Sequence, residues 1–384
     1  MTVDAASAPR ARRDVVSARA GGHLLLFEPA SRRLHALNAS AALVWERLDG
    51  TTTAHAIATQ LGERYASDRA VVEADVAAVI GRFAGLGLLA GSVPGAAPGA
   101  APAPAASLLT SVDAVAAARR RLGDRPWAWT SGTHVALGVA FRVQAEDAAA
   151  GGALARVLRS LRSTDAAADP DDVHTYSVLH GDAGRWSVLV DGVSAGTVDS
   201  VDAVVASVLR HLDRSVVTHA GAALCFHGGA VQIGRKVVLL PGAVGSGTST
   251  VTAALVRRGA GYVADQVAVF DLARGAVPPY LRPIGTTPPA DPASIPGVVL
   301  SRGGALGMVV SPVHVPGSPT RVEQRTDADA VRLLLDTTYA FEALGADGFL
   351  ALVALARRVP VYRVQYGDLD AACEVVLELA RRDG

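Results

Sequence analysis

Gly242-Ala243-Val244-Gly245-Ser246-Gly247-Thr248-Ser249-Thr250 lies between two apolar runs, Val237 to Leu240 and Val251 to Arg258, the second closed by Gly259 and Gly261. The first run predicts a buried strand and the second a helix. Strand, glycine-rich loop and helix together form the context of a phosphate-binding loop. The glycines let successive N–H groups turn inward around an anion at the positive end of a helix. The candidate phosphate-binding residues are Gly242, Gly245, Ser246, Gly247, Thr248, Ser249 and Thr250. The pattern G-x-x-x-x-G-K-[ST] is met at every position but one, since Thr248 stands where lysine belongs. Ser249 is the hydroxyl that would ligate Mg²⁺. A charged hydrogen bond to phosphate contributes roughly 1.5–3 kcal/mol. Its loss weakens ATP binding about ten- to a hundredfold, and a transition state that gathers charge suffers more. The expectation is weak binding of ATP and Mg²⁺ with impaired chemistry, unless an arginine such as Arg282 or Arg302 replaces the lysine.

The 384 residues suggest two or three domains. Formal net charge is zero, which removes the electrostatic case for nucleic acid or an anionic membrane as partner. No stretch approaches about 20 uninterrupted apolar residues, so no spanning helix is expected. Met1 to Arg13 is polar, without a secretory apolar segment, and reads as a disordered start to a cytoplasmic protein. Cys225 and Cys373 match no metal or redox spacing and read as reduced core thiols.

Residues 14–90 form the first module. His23 to Glu28 and Arg33 to Leu37 read as a hairpin around Pro29-Ala-Ser-Arg32. Asn38 is an N-cap for a helix from Ala39 to Leu48, and Thr51-Thr-Thr53 opens a second helix running to Tyr65. A third helix, about Ala70 to Leu86, carries Val72, Val76, Val79, Ile80 and Phe83 on one face. Strands followed by three helices predict a winged-helix-like unit. A DNA-reading role fits it poorly, because the third helix offers Arg82 against Glu73 and Asp75.

Phe27-Glu-Pro, Leu37-Asn38-Ala-Ser-Ala, Val44-Trp45-Glu and Leu48-Asp-Gly50-Thr51 resemble the PqqD family, as do Glu73-Ala-Asp75-Val76 and Gly85-Leu-Gly-Leu88 in the third helix and just after it. The resemblance covers about 75 residues. It implies a module that recognises leader peptides of ribosomally made, post-translationally modified peptides. The leader would add as a strand to the hairpin edge and lie against the third helix. Mapped here, Arg33, Leu34, His35, Ala36 and Leu37 would supply backbone hydrogen bonds, and Val79, Arg82 and Phe83 side-chain contacts.

Residues 91–107, with Pro94, Pro98, Pro102 and Pro104 among Ala and Gly, read as a semi-extended linker reaching about 50 Å. Residues 108–223 read as an α+β lead-in, with strands at His134–Val143, Val173–Val178 and Trp186–Val190 and helices at Ala153–Leu161 and Val201–Leu212. Residues 224–384 hold the glycine loop. They run from Leu224-Cys-Phe-His227-Gly-Gly-Ala-Val231, through the loop, to Tyr262-Val-Ala-Asp265-Gln266-Val-Ala-Val-Phe270, and close with Pro360 to Asp370. This order of parts resembles the HPr serine kinase-like family, a P-loop fold. The resemblance implies Asp265 as base toward a substrate hydroxyl, His227 as its hydrogen-bond partner, and Ser249 with Asp265 as Mg²⁺ ligands. Gln266 stands where the family has a second acid.

The chain is thus expected to be a multidomain α+β and α/β protein that recognises a precursor leader peptide. Its kinase-like domain would be impaired and act as scaffold or regulator. Its partners would be that leader and the peptide-modifying enzymes of the same pathway, with no nucleic acid and no membrane. The alternatives are an active ATP-dependent Ser/Thr kinase of the bound peptide and, less favoured, a winged-helix DNA-binding regulator.

Overall fold

A computed structural model describes residues 7–65, 69–91, 122, 125–161, 173–181, 184–221, 223–285 and 289–382. Past residue 91, the expected linker lies outside them. The chain divides into two compact units, each taken by itself below.

The first unit holds an antiparallel sheet of β1 (Val16–Ala20), β2 (His23–Glu28) and β3 (Arg33–Leu37), in that order. It continues into α1 (Ala39–Trp45), α2 (Ala54–Tyr65) and α3 (Arg69–Gly85). Asn38 caps α1 as expected, its side chain accepting from Ala41 N, and Thr53 Oγ1 accepts from Ala56 N at the start of α2. Leu24, Leu26 and Leu37 meet Trp45, Ile57, Leu61, Val76, Ile80 and Phe83 in one core.

Two features depart from the sequence reading. Residues 7–13, expected to be part of a disordered start, are tied to the module by backbone hydrogen bonds. Pro9 O accepts from Gly50 N, Arg10 O from Ala90 N and Leu88 O from Arg12 N, so this arm ties α1 and the end of α3 together. Arg12 also reaches the buried Glu28, which accepts from Arg12 Nη1 at 3.1 Å and from His35 Nε2 at 2.9 Å. Second, Leu24 to Phe27 are all buried, so both faces of β2 are covered. The far face carries Leu25, Phe27 and Leu34. Its cover comes from the helix Phe341–Arg358, broken at Gly345 (φ 49°), whose Phe349 stacks on Phe27 at 5.0 Å between centroids. Residues Thr326–Arg332 and Glu342–Arg358 belong to this unit, so it is larger than 14–90.

The second unit has two sheets. One runs β4 (Trp129–Thr130), β6 (Val139–Ala145), β7 (His174–His180), β8 (Trp186–Val190) and β9 (Val193–Val198), with β5 (His134–Ala136) beside β6. Helices α4 (Ala148–Val157) and α5 (Val201–His219) lie with it, capped by Asp147 and Ser200. The single strand expected over His134–Val143 is a hairpin instead, because Leu137 (φ 49°) and Gly138 (φ 87°) turn the chain. The helix expected at Ala153–Leu161 starts earlier and ends in a 3-10 turn, Arg159–Leu161.

The other sheet contains β10 (Leu224–Ile233), β11 (Lys236–Pro241), β12 (Gly261–Ala264), β13 (Val267–Phe270), β14 (Ala276–Val277), β15 (Val299–Leu300), β16 (Gly304–His314), β17 (Arg321–Arg325) and β18 (Val361–Tyr366). Its order is β15-β12-β10-β11-β16-β18-β17, with β13 on β10 and β14 on β16. Strands β11, β16 and β18 are parallel. Between β11 and β12 the chain forms α6 (Thr248–Arg257). The helices α7 (Asp327–Asp336) and α8 (Phe341–Arg358, the cover helix above) precede β18, and α9 (Leu369–Arg382) follows it. Val251 and Leu255 of α6 join Cys373 and Val376 of α9 over Val238, Leu240 and Val310 of the sheet. Cys225 and Cys373 are both free and buried, and burial pushes the Cys225 thiol up to about 12.

Candidate functional sites

The glycine loop leaves β11 at Pro241 and enters α6 at Thr248, at the end of a strand with a parallel neighbour, where open α/β sheets place ligands. Gly247 N-caps α6 in the left-handed region (φ 92°) without a side-chain cap. The N–H groups of Gly247, Thr248, Ser249 and Thr250 therefore have no intrahelical acceptor. A Cβ on Gly247 would lie 2.3 Å from Tyr366 Oη, so no other residue fits there without displacing that ring. Gly242 is as crowded, its missing Cβ 2.4 Å from Ser246 Oγ and 2.7 Å from Thr248 Cγ2. Ser246 Oγ is buried with no hydrogen-bond partner. Val244 at the tip is exposed. His314 N donates to Ser246 O at 3.1 Å.

The donor set fits an anion: unpaired first-turn N–H groups and an orphaned hydroxyl inside the curl. Thr248 does not behave as a shortened lysine. It is 5 % exposed, with its methyl against Gly242.

The acidic side of the site differs from expectation. Asp265 is fully buried between β12 and β13, and accepts from Ser249 Oγ at 2.9 Å and from Gly285 N at 2.8 Å. Gln266 Nε2 donates to Ser249 Oγ at 2.7 Å. His227 was expected to bond Asp265. Its Nδ1 instead donates to Gly242 O at 2.5 Å while its carbonyl accepts from Gly242 N at 3.0 Å. A carbonyl only accepts, so the proton sits on Nδ1. His227 clamps the first residue of the loop, and Tyr339 packs edge-on against its ring at 5.6 Å.

Arg282 is not available to replace the lysine. Its Nε donates to both oxygens of Asp213, at 2.9 and 3.1 Å, and its Nη1 to Pro283 O. Tyr280 Oη donates to Asp213 as well. Burial pushes the Asp213 carboxyl up, while Arg282 and Tyr280 pull it back. Arg302 is exposed. Among the described residues, no cluster of three His, Cys, Asp or Glu side chains is arranged to hold a metal. The residues present do not fit Mg²⁺ well, because both oxygens of Asp265 and the hydroxyl of Ser249 are already engaged.

In the first unit the candidate peptide edge is β3. Leu34 O accepts from Arg332 Nη2 at 3.1 Å, on the side of β3 away from β2 that the four-residue connection from Glu28 to Arg33 leaves free. Backbone groups of alternate residues face alternate sides of a strand. Leu34 and Ala36 therefore present N–H and C=O to the open edge, while Arg33, His35 and Leu37 face β2. Of the expected side-chain contacts, Arg82 is exposed and Val79 half-buried. Phe83 is 1 % exposed, edge-on to Trp45, and so supports α3 from within instead of contacting a peptide. Leu34 and Leu37 are buried, Ala36 is exposed, Arg33 is half-buried, and His35 is held by Glu28. Arg332, Gly285 and Tyr366 reach these sites only through long-range packing. Tyr366 lies in the closing stretch Pro360 to Asp370, but nothing in that stretch announces its approach to Gly247.

Residues 23–89 match the family described as coenzyme PQQ synthesis protein D (PqqD). The chain carries a PqqD-like domain from β2 to the residues just after α3. No curated protein matches the chain. Among solved structures, part of the chain is similar to TbiB1 in complex with the TbiA(beta) leader peptide. That match has 24 % identity over 22 % of this chain and 98 % of that one, with a TM-score of 0.21. The chain is also similar in part to the Hpr(Ser) kinase/phosphatase from Coxiella burnetii, at 16 % identity over 41 % of this chain and 95 % of that one, with a TM-score of 0.24. No helix among the described residues is long and apolar enough to cross a membrane.

Proposed function

We propose that this chain captures the leader segment of a ribosomally made precursor peptide and holds it for the enzymes that modify it. The observation that carries this reading is the PqqD-like domain over residues 23–89, whose outer strand turns the backbone N–H and C=O groups of Leu34 and Ala36 toward its free edge. A leader strand would take those backbone groups by β-augmentation and displace Arg332 from Leu34 O. Affinity would come from the main chain and selectivity from alternate side chains.

The edge predicts a specific loss. Ala36→Pro removes one outward N–H at an exposed edge position, where proline is tolerated. The full-length variant should stay folded by circular dichroism. It should bind about tenfold more weakly than the wild type to a synthetic leader peptide that the wild-type protein captures. Equal binding by the variant and the wild type would rule out this mode of capture.

In the same reading the glycine-loop domain is an impaired phosphotransferase retained as scaffold or regulator. Its support is the burial of Thr248 and the commitment of Arg282 to Asp213, which leave the loop without the cation that stabilises a moving phosphoryl group. Thr248→Lys should raise ATP affinity by about ten- to a hundredfold, because the ammonium can leave the Gly242 contact and reach the phosphates. It should not restore transfer to the leader. ATP turnover by the wild-type protein, measured with labelled nucleotide, would favour the active-kinase alternative instead.

A further inference from the structure

Gln266 does more than lack a carboxylate. It sits at φ 65°, in the left-handed region that a glutamine seldom enters, and such strain persists where the surroundings hold it. The surroundings here are the turn between β12 and β13, where Val267 N donates to Asp265 O and Gly228 N to Gln266 O. The side chain returns to the start of α6, and its Nε2 donates to Ser249 Oγ at 2.7 Å. Ser249 then turns its own proton to Asp265 Oδ1 at 2.9 Å, and Asp265 Oδ2 accepts from Gly285 N at 2.8 Å. A Cβ on Gly285 would lie 2.8 Å from Gln266 Nε2 and 3.0 Å from Asp265 Oδ2, so backbone closes the cluster on that side.

Mg²⁺ demands a near-octahedral oxygen shell and is usually held by one or two carboxylates plus substrate phosphates. Here the one carboxylate has both oxygens occupied by donors, and the serine oxygen already accepts from an amide. The partial positive charge of the carboxamide protons holds the place a cation would take. A primary amide has a second N–H beyond the one spent on Ser249.

We infer that the glycine loop binds a polyphosphate-class anion without a divalent cation, with the Gln266 carboxamide holding Ser249 in the metal's stead. This rests on the reading of the loop as a phosphate site, and is independent of leader capture.

The test is calorimetric titration of the full-length protein with ATP, and separately with inorganic tripolyphosphate, in excess EDTA and in millimolar Mg²⁺. Wild-type affinities in the two buffers should agree within about twofold, whereas Gln266→Asp should bind at least about tenfold more tightly with Mg²⁺ than without. Gln266→Glu serves the same purpose should the aspartate variant lose its circular dichroism signal. Wild-type binding that is tenfold tighter with Mg²⁺ overturns the inference and leaves the loop a conventional metal-assisted site. Absence of binding by either probe overturns it too, and leaves leader capture, measured on the same protein, standing. Variants as indifferent to Mg²⁺ as the wild type would show that Gln266 does not exclude the cation.

Discussion

Phe349→Ala should destabilise the front module by about 3–5 kcal/mol and abolish leader capture, although Phe349 lies far outside the PqqD-like residues. Its ring is fully buried and stacks on Phe27, with 16° between the planes. The far face of the hairpin is apolar, with Leu25, Phe27 and Leu34, and in this chain its cover is a helix from near the C-terminus. Truncation opens a cavity beneath β2 and β3, the strand that carries the peptide edge. Domains are stable by only about 5–15 kcal/mol, so the loss would be a large share of the module's margin. Hydrogen exchange resolved by segment should show residues 16–37 opening while β10 and β11 stay protected. Phe349→Leu, which keeps most of the volume, should cost less than about 1.5 kcal/mol. An unfolding transition for Phe349→Ala that coincides with the wild type would remove the cover helix from this account. A chain ending after α3 would lack this cover and expose Leu25, Phe27 and Leu34 together.

Asp213→Asn should cost about 3–5 kcal/mol, because it strands the Arg282 guanidinium in a buried site. Asp213 accepts from Arg282 Nε through both oxygens and from Tyr280 Oη, and the ion pair is largely withdrawn from solvent. Breaking one side of such a pair is expensive, whereas replacing all of it with apolar side chains of similar size is often neutral. The triple variant Asp213→Leu, Arg282→Met, Tyr280→Phe should therefore recover most of the stability lost by Asp213→Asn. Chemical denaturation of the three proteins is the measurement, and a triple variant no more stable than Asp213→Asn would refute the charge argument. The pair also matters for the loop. Arg282 is three residues before Gly285, whose N–H holds Asp265. Loosening the 280–285 segment should release the carboxylate that Ser249 bonds.

Local sequence was enough to determine the elements around both sites. The Leu37-Asn38 boundary, the apolar face of α3, and the strand, loop and helix around Gly242 to Thr250 were legible because each depends on neighbours in the chain: a cap, a 3.6-residue period, a glycine turn. The tight Gly242 and Gly247 contacts match what the motif demands. Tertiary structure alone decided what those elements touch. The unbroken run Leu24 to Phe27 signals a strand covered on both faces, but nothing in its spacing identifies Phe349 as the cover. Gln266 reads in sequence as a missing acid, and becomes a donor to Ser249 only through a left-handed turn that brings positions 249, 265, 266 and 285 together. His227 beside two glycines could face either the acid or the loop, and the pairing of β10 with β11 turns it to Gly242. Arg282 looked free to serve the phosphates until folding placed it beside Asp213. The physical reason is the same in each case. A hydrogen bond or a stacked ring between residues far apart in sequence depends on the packing of whole sheets and helices, and leaves no period or spacing in the chain to be read.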